Sequence, residues 1–171
     1  MNEYKFPVFE ERLSHQTNPR PEVLDFAEKI KRADGVLMVT PEYNGGYPAS
    51  LKNIVDLLYD EWRRKPIAIT TVSNGVFGGS QVITSLVFTL FKIRAWVVPA
   101  MCPMPKAQDL FDEMGIPVDK VAIEKRAKPF IEELLWCFRS PSQDGKEIIS
   151  RSNNNKIIIV YKFPFFASST A

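Results

Sequence analysis

Gly35-Val-Leu-Met-Val-Thr-Pro-Glu-Tyr-Asn44 is the stretch on which the fold turns. The run Val36 to Val39 is apolar without alternation, which suits a strand buried on both faces of a parallel sheet. Thr40-Pro41 is expected to end it, because Pro41 has no N–H for a ladder. Glu42, Tyr43, Asn44, Gly45 and Gly46 then form a polar loop before a helical pattern begins. In an open parallel sheet, ligands sit outside the carboxyl ends of the strands. This loop lies at such an end.

Working outward, Pro21 to Ala33 reads as a helix: Pro21 suits its first turn, and Val23, Phe26, Ala27 and Ile30 give one apolar face. Asp34-Gly35 turns it into the strand. Residues 1–21 carry Pro7, Pro19 and Pro21 and read as an irregular lead-in. The single histidine, His15, sits there in a polar loop and is read as solvated rather than as a general base. After the loop, Pro48 opens a helix to about Tyr59, with Leu51, Ile54, Val55 and Leu58 inward. Ile67 to Val72 is a second buried strand, followed by Ser73-Asn74-Gly75-Val76-Phe77-Gly78-Gly79-Ser80. A helix from Gln81 to Ile93 leads to a short strand, Trp96 to Val98, closed by Pro99, and Met101 to Pro105 reads as a loop. Asp119 to Phe138 is a long helix that Pro129 should kink or divide, with Val121, Ile123, Ala127, Ile131, Leu134 and Leu135 mostly inward. Strands alternating with helices predict a doubly wound α/β sheet. The loops 41–46 and 73–80 both follow strands, so both belong to one edge of it.

Composition narrows the class. The 171 residues suffice for one domain with a real core, and 45% apolar with 25% charged residues is ordinary for a soluble chain. A net charge of +2 is too small to argue for nucleic acid. Cys102 and Cys137 make no metal or redox spacing, so two free thiols in a reduced, cytoplasmic protein are expected. No run reaches the roughly 18 apolar residues of a membrane span, and Met1-Asn2-Glu3-Tyr4-Lys5 has no signal-peptide core.

Thr40-Pro41-Glu42-Tyr43-Asn44-Gly45, then Pro48, Leu51-Lys52-Asn53 and Asp56, resembles the signature of the NADPH-dependent FMN reductase family, the flavodoxin-like quinone, chromate and azo-dye reductases. Ser73-Asn74-Gly75 with Gly78-Gly79 resembles its second flavin loop. The resemblance implies a flavodoxin-like domain over residues 1–140, with 141–171 a linker and hydrophobic tail. It implies FMN as cofactor, NADPH or NADH as co-substrate, and a quinone, dye, metal oxyanion or free flavin as acceptor. Pro41, Glu42, Tyr43, Asn44, Ser73, Asn74, Gly75, Gly78 and Gly79 would bind the flavin. No catalytic side chain and no metal are required, since the cofactor carries the hydride chemistry. A homodimer or higher oligomer is implied, with Trp62 a contact candidate and with Phe91 and Trp96 better suited to the core. For Lys52, Asn53 and Asp56 a solvated helix face or local pairing is as good a reading as a cofactor contact. Other readings are a plain strand-to-helix turn at 41–46 and a Gly-rich helix entry at 73–80. For the whole chain they are a catalytically idle relative acting in partner contact, and a nucleotide or phosphosugar binder.

The chain also departs from that family. Its members begin with a strand, a Gly-Ser-x-Arg-x-x-Ser-type phosphate loop and a helix, whereas Met1 to Pro7 resembles the segment after the family's second strand. The expectation is a domain truncated at its N-terminus, with the edge of strand 36–40 bared. Gln143 to Asn155 reads as a linker and Lys156-Ile-Ile-Ile-Val-Tyr-Lys162 as a strand. The preferred reading is an added hydrophobic tail or edge strand. The alternative sets it in the vacant central slot beside strand 36–40. Ser168, Ser169 and Thr170 lack the glycine and arginine of a phosphate cradle.

Overall fold

The computed structural model describes residues 6–137 and 156–161. Four parallel strands, β1 (Gly35–Pro41), β2 (Pro66–Val72), β3 (Trp96–Met104) and β4 (Ile157–Tyr161), form one sheet in the order β3-β2-β1-β4. Helices α1 (Pro21–Arg32), α2 (Ala49–Leu57) and α3 (Ser80–Lys92) cover one face, and α5 (Lys120–Trp136) covers the other, with a short α4 (Ala107–Leu110) between β3 and α5. The period-2 alternation of each strand feeds the two layers. Val36, Met38, Ile67 and Ile69 join Phe26, Ile30, Leu51, Val55 and Leu86, while Ala68, Val72, Val98 and Cys102 meet Phe130 and Leu134. The doubly wound α/β class read from the sequence is the one observed.

Several details differ from expectation for identifiable reasons. β1 includes Pro41, which closes the ladder opposite Val72. As its last residue Pro41 forfeits no interior bond. β3 runs straight through Pro99 and on to Met104 instead of stopping at Val98. Among the described residues it is an edge strand, where half of the N–H groups have no ladder partner to lose. Pro99 sits in a bulge: Ile67 pairs with Val97, but Ile69 pairs with Met101. The helix after β3 is not divided at Pro129. Both Pro129 and Lys125, whose carbonyl the ring robs of its donor, are exposed, so water can serve that carbonyl. On α5, Phe130 and Leu134 are the buried residues, and Val121 is exposed.

Trp62 is fully buried, its Nε1–H donating to Val55 O at 3.1 Å, whereas Phe91 and Trp96 stand 71% and 56% exposed. The sequence assignment of these three rings is reversed. Trp62 closes a 3-10 turn (Asp60–Trp62) that folds it back onto α2 and Phe26, while Phe91 and Trp96 fall on the outer side of α3 and the start of β3.

β4 pairs in parallel with β1, Gly35 to Val39 opposite Ile157 to Tyr161. Asp34 docks the residue before β4 twice: Asp34 N–H donates to Lys156 O, and Lys156 N–H donates to Asp34 Oδ2, each at 2.9 Å. The edge of β1 is therefore covered. β4 is the sheet's edge among the described residues, and it also stands where a flavodoxin-like order of 2-1-3-4-5 has its first strand. The linker 143–155 and Ser168, Ser169 and Thr170 lie outside the described residues.

Candidate functional site

β1, β2 and β3 run parallel, so their carboxyl ends deliver three segments to one edge. The chain winds β1, β2, β3 in one direction and returns across the sheet to β4, so the order reverses between β1 and β4. In open parallel sheets ligands bind outside the carboxyl ends of the strands. The loop 41–46 leaves β1 at that point.

This loop is a tight hairpin. Tyr43 N–H donates to Gly46 O at 2.8 Å and Gly46 N–H to Tyr43 O at 2.9 Å. Between them Asn44 (φ 51°) and Gly45 (φ 77°) take positive φ, the pattern of a type I′ turn, for which Asn-Gly is the preferred pair. Pro41 is buried and Glu42 half-buried, while the Tyr43 ring and Asn44 project into solvent. Behind the turn, the Tyr47 hydroxyl meets Thr89 Oγ1 of α3 at 2.9 Å, tying the loop to the neighbouring helix.

The second loop is braced against the first and against β3. Ser73 N–H donates to Met104 O (3.1 Å), Ala107 N–H to Ser73 O (3.1 Å) and Lys106 N–H to Gly75 O (3.3 Å). Ser73 Oγ accepts from Gly75 N–H at 2.9 Å. Thr71 Oγ1 donates to Gly78 O at 2.5 Å. Gly78 (φ 59°) and Gly79 (φ 80°) are buried, and both are held by their surroundings to glycine. A Cβ on Gly78 would lie 2.9 Å from Pro105 N, and one on Gly79 would lie 3.0 Å from Thr71 Cβ and 3.5 Å from Glu42 Oε2. The Glu42 side chain of the first loop therefore lies beside Gly79 of the second, where a Cβ would fill the space between them. The backbone N–H groups of Asn74, Val76 and Phe77 make no hydrogen bond among the described residues, and all three residues are exposed.

Of the nine residues read from the sequence as flavin contacts, all lie on this edge. Their parts in the loops differ. Gly78 and Gly79 pack inward and set the loop's path. Asn44, Asn74 and Gly75 face solvent. Thr71, Met104 and Lys106 also belong to the edge. Met104 was hidden because Met101 to Pro105 reads as a loop until β3 is seen to pair. Lys106 takes φ 48°, uncommon for a residue with a Cβ. Lys52 and Asp56 form an i,i+4 ion pair on α2, and Asn53 serves the lead-in: its Nδ2 donates to Pro7 O (2.8 Å) and its Oδ1 accepts from Phe9 N–H. These three hold structure rather than reach the site. His15 is exposed in the lead-in. No group of three or more metal-ligating side chains occurs among the described residues.

The family profile described as NADPH-dependent FMN reductase matches residues 1–109. The chain is 43% identical over 84 residues to the NAD(P)H-dependent FMN reductase C4B3.06c of Schizosaccharomyces pombe, covering 49% of this chain and 41% of that one. It is 33% identical over 148 residues to a quinone reductase of Pseudomonas putida, covering 78% and 72%. The chain spans about half the length of several of the curated relatives it matches. Among solved structures, the flavoenzyme NAD(P)H:(acceptor) oxidoreductase FerB of Paracoccus denitrificans superposes with a TM-score of 0.61 at 24% identity, over 77% of this chain and 75% of that one. That likeness shows the fold.

Proposed function

Because the chain belongs to the NADPH-dependent FMN reductase family, we propose that it is an FMN-dependent NAD(P)H oxidoreductase whose flavin lies against the loops 41–46 and 73–80. The observation that carries this is the placement of two strand-exit loops side by side, with Glu42 next to Gly79, at the carboxyl ends of β1 and β2. Exposed N–H groups at Asn74, Val76 and Phe77 fit the acceptor-rich edge of an isoalloxazine. Donors fixed in place by the Ser73–Met104 and Thr71–Gly78 bonds stabilise negative charge without having to reorganise. Asn44 is fixed by its turn and offers an amide to the same edge. Bound FMN would supply the hydride chemistry, taking two electrons from NADPH or NADH and passing them to a quinone, dye, metal oxyanion or free flavin. The protein's part is to bind, orient and polarise. Two unpaired thiols, Cys102 and Cys137, suit a reducing, cytoplasmic setting. The exposed Val76 and Phe77 beside the site offer apolar surface to a second copy.

Titrating the chain with FMN and following flavin fluorescence tests the reading. Saturable quenching, together with FMN-dependent NADPH oxidation, is expected. Replacing Asn44 by Ala should weaken FMN binding by about tenfold, the worth of one well-placed hydrogen bond near 1.4 kcal/mol. A chain that quenches no flavin and oxidises no NADPH is the idle relative instead.

A further inference from the structure

We propose a second ligand site, separate from the flavin edge, that takes a planar aromatic anion: a ring system bearing a phosphate or carboxylate. It is a groove of about 410 Å³ at the amino end of β3, lined by Arg64, Val87, Phe91, Arg94, Trp96 and Val97 among others. Trp96 opens β3 and Met104 closes it. Nine residues of strand, at roughly 3.3 Å each, separate this groove from the loops 41–46 and 73–80.

Four observations converge on it. The backbone is interlocked: Arg64 N–H donates to Arg94 O (2.8 Å), Trp96 N–H to Lys65 O (3.0 Å) and Arg94 N–H to Phe91 O (3.0 Å). Both arginines hold positive φ, 57° and 63°, Arg94 as the left-handed residue that closes α3, with Ala95 N–H donating to Leu90 O at 3.0 Å. Neither guanidinium has a carboxylate partner among the described residues, and no acid lines the groove. Phe91 and Trp96 are more than half exposed beside those two charges.

Charge complementarity selects the occupant. Two unpaired arginines next to aromatic faces suit a ring that stacks and an anion that takes a forked hydrogen bond. A second copy seated here about a twofold axis would set arginine against arginine, and like charges brought together oppose docking. The volume falls at the low end of small-molecule sites, about 300–1,000 Å³, and holds one fused ring system with its charged group rather than a peptide strand.

The test titrates the full chain with 1-naphthyl phosphate, 1-naphthoate, 1-naphthol and inorganic phosphate. Heat of binding and the tryptophan indole N–H signals are the two readouts, with Trp96 assigned from Trp96→Phe. One or both naphthyl anions should saturate the chain and move the Trp96 signal, leaving buried Trp62 still. The tighter of the two names the anion. The uncharged naphthol and ring-free phosphate should bind at least tenfold more weakly. Arg64→Asn and Arg94→Asn keep a residue tolerant of positive φ and should each lower affinity at least fivefold. Arg94→Lys, which keeps the charge and loses the fork, should lie between and serves if an Asn variant does not fold. The proposal is overturned by equal binding of naphthol and the anions, by affinity indifferent to both arginines, by no saturable binding of either anion, or by a Trp96 signal that moves only with chain concentration as copies associate.

Discussion

Asn44, Gly78 and Gly79 show how much of the candidate site rests on single backbone angles. Asn44 and Gly45 alone carry the type I′ turn, and Asn tolerates the left-handed region better than most residues. Gly79→Ala should cost about 1–3 kcal/mol, from positive φ plus a Cβ pressed to 3.0 Å of Thr71. Gly78→Ala should cost no less, because its obstacle is the Pro105 backbone. Urea unfolding of both variants checks the order. Cys102 gives a pH prediction. Burial pushes its thiol above the usual 9.0, while Arg126 and Thr70 pull it partly back. Above that usual value the unfolded thiol ionises while the folded one keeps its proton, so the unfolded state binds fewer protons and stability falls as pH rises through the folded pKa. Comparing wild type with Cys102→Ala at pH 7.5 and pH 10 should show a smaller loss in the variant. None of these angles or contacts is written in the glycines themselves. The sequence marked both loops, and only the packing of Pro105 and Thr71 against them showed which glycines face inward.

At the scale of elements, β4 and α5 are the informative cases. Val160 is buried against the core shared by β1 and α1, whereas Ile159 is half-exposed beside Leu37. Val160→Ala should therefore lower stability by about 1–3 kcal/mol, the transfer and cavity terms of two methyl groups, and Ile159→Ala by clearly less. Equal, negligible effects in thermal melts would mean that β4 does not hold its place. Pro129 breaks one bond inside α5 at an exposed position, so Pro129→Ala should stabilise by about 1–3 kcal/mol, within the helix-interior penalty of proline. Reading α5 as kinked or divided at that residue gave full weight to the ring; α5 runs through it, with Lys125 exposed where solvent can reach its carbonyl. Reading β3 as ending at Pro99 made the same error in a strand: the sequence does not say which strand is the edge, and the edge decides whether proline is tolerated.

For the whole molecule, the candidate flavin edge depends on strands that are far apart in sequence. β1 ends at residue 41 and β4 at 161, yet their pairing makes the reversal beside the loop 41–46. A substitution that loosens β4 without touching either loop, Val160→Asp, should weaken FMN binding as well as stability. Conversely, saturating FMN should raise the unfolding midpoint, by about 2.7 kcal/mol at a hundredfold excess over Kd. Calorimetric titration of the variant below its melting point separates the two effects. The open groove at Arg64 and Arg94 lies at the other end of β3, so a ligand there and a ligand at the loops should bind without competing.

Local pattern was enough to establish the strand-helix alternation, the two loops at strand exits and the membership of a flavin-reductase family, because each is a property of a few neighbouring residues. It also exposed Lys156 to Lys162 as a strand. Where that strand goes, which prolines a strand survives, and which of Trp62, Phe91 and Trp96 is buried were decided by tertiary structure. The reason is physical: pairing partner, edge position and burial are relations between distant segments, fixed by the free energy of the assembled sheet rather than by any one stretch of chain.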